Sequence, residues 1–307
     1  MTLPVSRGGA RVRRAGASLA DMSWWEAVIL GLVQGITEFL PISSSAHVRV
    51  VGPLLPHGAD PGAAFSAIIQ LGTEAAVLLY FRKDIARIIA AWFRALAGQD
   101  GTSRAERLGS KNSDARMGWW VILGSIPIAV IGFLFQDFIE GHLRNLYLTA
   151  AMLAIFGLVL GFADKIGRKQ RELTSLRGKD ALFLGLAQAM ALIPGVSRSG
   201  GTISMGLFLG LTREAAARYS FLLAIPAVLG SAGLELVTNA DELTAAGGPG
   251  IVNTVIATIA AFVVGYIVIV WFLKLITHHT FWPFVWYRLG FAALIVALLG
   301  AGIIPAL

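Results

Sequence analysis

A carboxylate, three consecutive hydroxyls and an imidazole stand close together in Gln34-Gly-Ile-Thr-Glu38-Phe-Leu-Pro-Ile-Ser-Ser-Ser-Ala-His47. A second polar stretch, Ile193-Pro-Gly-Val-Ser-Arg198-Ser-Gly-Gly-Thr202, offers a guanidinium, more hydroxyls and three glycines. Gln34 and Glu38 are one helical turn apart and share a face. Ser43 and Ser44 precede His47 by about a turn, so they converge on it if a helix restarts after Pro41. Ser45 completes the hydroxyl run. In the second stretch, Gly195 and the pair Gly200-Gly201 allow backbone N–H groups to turn inward as an anion nest. Arg198 adds a planar fork that matches phosphate oxygens in pairs. Ser197, Ser199 and Thr202 bring hydroxyls into the same turn, and a helix starting near Thr202 would aim its positive end there. Read together, the stretches make one phosphate-handling site, with acid and hydroxyls from one half and cation and glycines from the other. The plainer readings are a carboxylate capping the Pro41 break, an interior histidine, and an arginine snorkelling to lipid phosphates. They leave the clustering of Glu38, Ser44 and His47 unexplained.

The elements that must position these groups are apolar. Of 307 residues 56% are hydrophobic and only 14% charged, and the mean hydropathy is +0.72. A soluble domain carries about 25% charge, so the chain reads as a membrane protein. A hydrocarbon core roughly 30 Å thick needs about 20 apolar residues per helix. The windows 117–136, 146–163, 251–273 and 289–307 are uncharged and near that length, without the short alternating pattern of a barrel. The net charge of +7 belongs to basic loops rather than to a nucleic-acid surface. The absence of cysteine excludes disulfides, thiolate metal sites and cysteine nucleophiles. Residues 1–22, with four arginines and no apolar run, read as a disordered basic tail rather than a signal peptide.

Polar groups inside lipid-embedded segments are expensive and are usually kept for a task. Residues 24–40 are apolar enough to enter the membrane, yet Pro41 and the serines interrupt them. A re-entrant helix–loop–helix accommodates that interruption better than one spanning helix. Residues 65–81 read as a span ending at Arg82-Lys83-Asp84, followed by an amphipathic piece at 85–96. The second half repeats the plan: Leu184-Gly-Leu-Ala-Gln188 echoes Leu30-Gly-Leu-Val-Gln34, and each leads to a proline and a serine-rich break. Phe65-Ser66 and Tyr219-Ser220 then each open a span, and two more spans close each half. Three spans per half put the second copy upside down. The expected fold is therefore an all-α integral membrane protein of two inverted-topology repeats, about 23–165 and 178–307. Each is a re-entrant helical hairpin plus three transmembrane helices within one membrane domain, 23–307. Lysine and arginine place loops 82–116 and 164–180 in the cytoplasm, and 137–145 and the acidic loop 238–250 outside. The arginines of the tail run against that assignment. Trp119, Trp120 and the aromatics of 281–287 read as interface anchors.

The first stretch resembles the signature of the bacterial undecaprenyl-diphosphate phosphatases, (Glu/Gln)-x-x-x-Glu followed by Phe-Leu-Pro-x-Ser-Ser. Pro194–Thr202 resembles their Pro-Gly-x-Ser-Arg-Ser-x-x-Thr signature, and Ile69-Gln-Leu-Gly72 and Phe221-Leu-Leu-Ala-Ile-Pro226 look like further family segments. The resemblance, running from about Trp24 to the C-terminus, implies removal of the terminal phosphate of undecaprenyl diphosphate at the outer face of the bacterial inner membrane. The product carrier would return to peptidoglycan and cell-wall synthesis, and bacitracin would compete for the substrate. A homodimer is compatible with this, and membrane lipid is the surrounding partner.

Phosphoryl transfer spreads negative charge over the equatorial oxygens, so fixed donors supply most of the catalysis. In this reading Arg198 and the amides of Gly195 to Gly201 hold the phosphates. Gln70, Ser43, Ser45, Ser197, Ser199 and Thr202 line them. Glu38, with the Gln34 carbonyl, would ligate a hard divalent cation, Mg²⁺ or Ca²⁺. Ser44 is the candidate nucleophile, with His47 to activate it or to protonate the leaving group; attack by water with His47 as base is the alternative. Gln34 stands where many family members carry Glu, which throws the acid–base work onto Glu38. Glu74, one turn after Gln70, matches no signature and is either a supporting carboxylate or the lining of a polar cavity. Two rival functions remain: a transporter or flippase of the lipid carrier, whose architecture inverted repeats share, and a phosphatase of other lipid phosphates.

Overall fold

With no water in the hydrocarbon to satisfy backbone groups, apolar segments of this length close their hydrogen bonds as helices. The structure, a computed structural model, describes residues 22–57, 62–238 and 249–306. It is an all-α, multi-pass membrane protein, and among the described residues the only β pairing is an isolated bridge, Arg171 to Leu211. The basic tail and the acidic residues Asp241 and Glu242 lie outside the described residues.

α1 (Trp24–Thr37) starts where Glu26 accepts from both the N–H and the hydroxyl of Ser23, at 2.8 and 2.7 Å. It stops short of Pro41, whose ring cannot continue a helix. The chain turns through Ser43, at φ 72°, and restarts as α2 (Ser44–Val51). α3 (Gly62–Tyr80) meets α4 (Arg82–Leu96) at a 74° bend. A short α5 (Arg104–Arg107) precedes the long α6 (Ser113–Leu134). α7 (Gln136–His142) links it to α8 (Leu146–Ile166). The second half opens with α9 (Gly178–Ala189), breaks at Pro194-Gly195, and resumes as α10 (Arg198–Phe208). α11 (Arg213–Thr238), α12 (Ile251–His278) and α13 (Trp282–Gly300) complete it.

Among the described residues α6, α8, α11, α12 and α13 are each long and apolar enough to cross a membrane. The expected span at 65–81 falls on α3, which with α4 across the 74° bend counts as a sixth candidate span. The last span begins earlier than expected. Residues 282–288 are its first turns, so the aromatics there are helix residues rather than a loop.

Both broken helices are seated by glycines. An added Cβ on Gly31 of α1 would collide with the Ala257 carbonyl of α12, and one on Gly185 of α9 with the Gly124 carbonyl of α6. α1 and α3 pack on α12, α9 and α11 on α6, and α8 on α10 and α13. The largest core cluster among the described residues includes Leu40, Phe81, Leu207, Phe221 and Phe272. Polar ties close the basic end: Asp164 accepts from Arg213 Nε at 2.7 Å and from the Phe281 N–H at 3.0 Å.

Candidate active site

Glu38 is where the two polar stretches meet. It follows α1, so its backbone N–H still donates to Gln34 while its side chain leaves the helix end. Gln34 Nε2 donates to Glu38 Oε2 at 2.7 Å, and Ser44 Oγ donates to the same oxygen at 2.6 Å. Glu38 Oε1 accepts from Arg198 Nη2, a contact across the whole first half of the chain. The carboxylate is 9% exposed and the guanidinium 18%, so the pair is shielded but still reachable.

Ser44 and Arg198 are also the first residues of α2 and α10. Each helix is preceded by a serine at positive φ, Ser43 at 72° and Ser197 at 70°. That turn delivers the chain abruptly into the helix, so two helix N-termini with their unsatisfied N–H groups flank one ion pair. Such a junction attracts anions.

A second cation lies underneath. Arg288 of α13 is fully buried and has no carboxylate partner among the described residues. Its guanidinium donates to Pro41 O at 2.9 Å in the first break, and to Gly195 O at 2.8 Å and Val196 O at 3.2 Å in the second. Nε reaches Leu153 O on α8 at 2.9 Å. Gly200 is what admits it: a Cβ there would lie 2.9 Å from Arg288 Nη1. One side chain thus ties both breaks to the same point and leaves an uncompensated positive charge there.

His47 is held apart from Ser44. Its Nδ1 donates to Ser43 O at 2.7 Å, which leaves Nε2 to accept from the Tyr287 hydroxyl, also at 2.7 Å. The ring stacks on Phe291, with centroids 4.0 Å apart.

The family model for the bacitracin resistance protein BacA matches residues 27–294. The chain belongs to this family. It is 57% identical over 285 residues to the undecaprenyl-diphosphatase of Paenarthrobacter aurescens, covering 93% of this chain and all of that one. It is 59% identical over 281 residues to that of Kineococcus radiotolerans, 92% and 95% of the two chains. To undecaprenyl-diphosphatase 2 of Agrobacterium fabrum it is 57% identical over 287 residues, 93% and 99%.

Within the BacA-family chain, the structure gathers Gln34, Glu38, Ser44 and Arg198 into direct contact. The expected Ser44–His47 pairing is not made: the serine hydroxyl turns to Glu38 and the imidazole to Tyr287. The Gln34 amide presents its nitrogen, not its carbonyl, to Glu38. Ser43 and Ser45 hydroxyls pair with each other at 3.3 Å.

In the second stretch several groups serve the scaffold. Ser197 Oγ accepts from the Gly200 N–H at 3.2 Å, and Ser199 Oγ donates to Leu40 O at 3.0 Å, binding one break to the other. Thr202 sits a turn inside α10, where its hydroxyl bonds back to Arg198 O at 2.7 Å and meets Ser220 Oγ at 2.5 Å. A helix-interior threonine commonly bonds back in this way. Gly195, at φ 96°, passes against the Thr149 carbonyl, and Gly201 against the Ala187 carbonyl. The side chain of Gln70 makes no hydrogen bond among the described residues, while its carbonyl accepts from Thr73.

Sequence reasoning missed Arg288 and Tyr287. The aromatic cluster around them read as an interface belt. In the structure Phe281 is buried, Trp120 Nε1 donates to Leu176 O at 3.1 Å, and Tyr287 reaches His47. An arginine directly ahead of an uncharged window, at the end of an aromatic run and with no acidic residue nearby in the chain, was the available signal.

Proposed function

We propose that this chain hydrolyses the terminal phosphate of undecaprenyl diphosphate and returns the carrier phosphate to cell-wall synthesis. Its relatives are named undecaprenyl-diphosphatase along nearly their whole length. The observation that carries the chemistry is the single carboxylate, Glu38, joined to Ser44 on one oxygen and Arg198 on the other.

In the resting enzyme Glu38 serves as the anion that Arg198 holds. An arriving diphosphate competes for the guanidinium, whose remaining N–H groups are unengaged among the described residues, and draws on the first-turn N–H groups of α2 and α10. Glu38, released from Arg198, takes the proton of Ser44 Oγ. Ser44 Oγ then forms a bond to the terminal phosphorus while the bridging P–O bond breaks and the polyprenyl monophosphate leaves. Glu38 passes that proton to the departing monophosphate and, as a carboxylate again, takes one from water, which attacks the phosphorus; the P–O bond to the serine breaks, inorganic phosphate leaves and Ser44 Oγ takes the proton back. His47 and Tyr287 stand beside this path as a hydrogen-bonded pair that can hold a proton. A hard divalent cation at Glu38 would neutralise the phosphate charge that accumulates in the transition state.

The finer architecture in this reading is a pair of inverted repeats. What supports it is exchange of packing partners. α1 on α12 corresponds to α9 on α6, while α3 with α11 and α8 with α13 are self-paired. Gly31, Gln34, Ser43, Ser45 and Ser66 precede Gly185, Gln188, Ser197, Ser199 and Ser220 by the same interval throughout. The site faces the outer leaflet of the bacterial inner membrane, with loops 82–116 and 164–180 in the cytoplasm. Bacitracin opposes the enzyme there by sequestering its substrate, and the reading accommodates a homodimer.

The test is phosphate release from undecaprenyl diphosphate by purified, detergent-solubilised protein, where no transbilayer movement is needed. Two charged hydrogen bonds at about 1.5–3 kcal/mol each set the scale. Arg198→Ala therefore lowers turnover by roughly a hundredfold or more, and Glu38→Gln by at least as much. A wild-type protein that binds the substrate but releases no phosphate would favour carrier transport instead.

A further inference from the structure

Glu74 is a carboxylate that the mechanism so far does not use. It lies in the middle of α3, is 4% exposed, and its Oε1 has no hydrogen-bond partner among the described residues. A buried carboxylate oxygen without a donor is costly, so something is expected to satisfy it. Its position is specific. Gly265 of α12 is where the two segments meet: a Cβ there would lie 3.2 Å from both the Phe39 ring and Thr73 Cγ2. Gly35 of α1 faces the same turn of α12, where an added Cβ would lie 3.0 Å from the Gly265 nitrogen. Glu38-Phe39 and Thr73-Glu74 are therefore drawn to one spot on α12. Glu74 is close enough to Arg198 and Glu38 for both charges to act on it.

We propose that Glu74 is the second carboxylate of a divalent-cation site that it shares with Glu38, taking the role an acid at position 34 would otherwise fill. The inference rests on the phosphatase reading. A hard cation such as Mg²⁺ is held by one or two carboxylates together with substrate phosphate oxygens, and Ca²⁺ takes oxygen ligands in the same manner with looser geometry. Position 34 holds an amide that turns its nitrogen toward Glu38, so Glu38 alone supplies charge from α1. Glu74 enters from another helix, and the lone pairs of its unpartnered oxygen are what such an ion would engage. With two carboxylates bound, the cation also offsets the negative charge that the diphosphate brings beside Glu38.

The test uses the full chain in detergent, stripped with chelator, and reads cation binding apart from catalysis. Thermal melting and titration calorimetry with Ca²⁺ and with Mg²⁺ are run with inorganic pyrophosphate present. Wild type gives a saturable rise in melting temperature. Glu74→Gln, isosteric and uncharged, keeps the cation-free melting temperature within a few degrees and weakens cation affinity by about tenfold or more. Gln34→Glu in the Glu74→Gln background recovers most of it, since the acid is restored from α1. Three outcomes would overturn the proposal: no cation-dependent change in wild type, unchanged affinity in Glu74→Gln, or no recovery in the double variant. Phosphate release by wild type from undecaprenyl diphosphate is measured on the same preparation. If it is absent while the cation results hold, the phosphatase reading fails and the site stands.

Discussion

At the scale of single residues, the division of labour between Ser44 and His47 is decided by which oxygen each can reach. One helical turn separates them, but the hydroxyl lies 2.6 Å from Glu38 and the imidazole 2.7 Å from Tyr287. Ser44→Ala should therefore lower kcat on the order of a thousandfold, because it removes the phosphoryl acceptor. Tyr287→Phe removes one neutral hydrogen bond, about 1 kcal/mol, and should cost only about fivefold in steady-state phosphate release. Equal losses from the two variants would argue that the imidazole, and not Glu38, activates the attacking group. The identities of Glu38, Ser44 and Arg198 were legible in the sequence, because hydroxyls and unpaired charges stand out against an apolar background. Their partners were not. Two hydroxyls in consecutive positions look alike on paper, and only the path of the break decides which one faces the acid.

At the scale of elements, the breaks after α1 and before α10 stay aligned because a buried guanidinium binds carbonyls from both. Such breaks leave backbone oxygens without helical partners, and each orphaned polar group in a dry interior costs about 1–3 kcal/mol. Arg288→Met would orphan the carbonyls of Pro41, Gly195 and Val196 together. A net loss of about 3 kcal/mol should lower the melting temperature in detergent by roughly 10 °C. Gly200→Val should reproduce part of this effect through steric pressure on Arg288 Nη1. If Arg288→Met melts like wild type and retains full kcat, the alignment depends on packing alone. The breaks themselves could be read from Pro41, Pro194 and the serines. The guanidinium beneath them could not, because its partners are backbone oxygens, which every sequence has and no sequence marks.

At the scale of the whole molecule, the proposed orientation rests on the lysines and arginines of loops 82–116 and 164–180. The native chain has no cysteine, so single reporters are clean. Ser103→Cys should react with a membrane-impermeant thiol reagent only after the cytoplasmic face is opened, and Gly141→Cys should react in intact cells. Labelling of Ser103→Cys from outside would invert the topology and strengthen the case made by the arginines of the N-terminal tail. What the sequence by itself determined is the class of protein and the residues of a candidate site, since segment length, charge content and polar interruptions in lipid-length windows are local properties. It also showed glycine, glutamine and serine positions recurring at one interval in the two halves. Only the tertiary structure decided that Glu38 and Arg198 touch, that Ser44 rather than His47 completes their contact, and that Arg288 underlies them. Each of these depends on how close separate helices come, and that distance is set by the absent side chains of Gly31, Gly185, Gly200 and Gly265 acting together. Contact between residues far apart in a chain is a property of packing, and no local pattern encodes it.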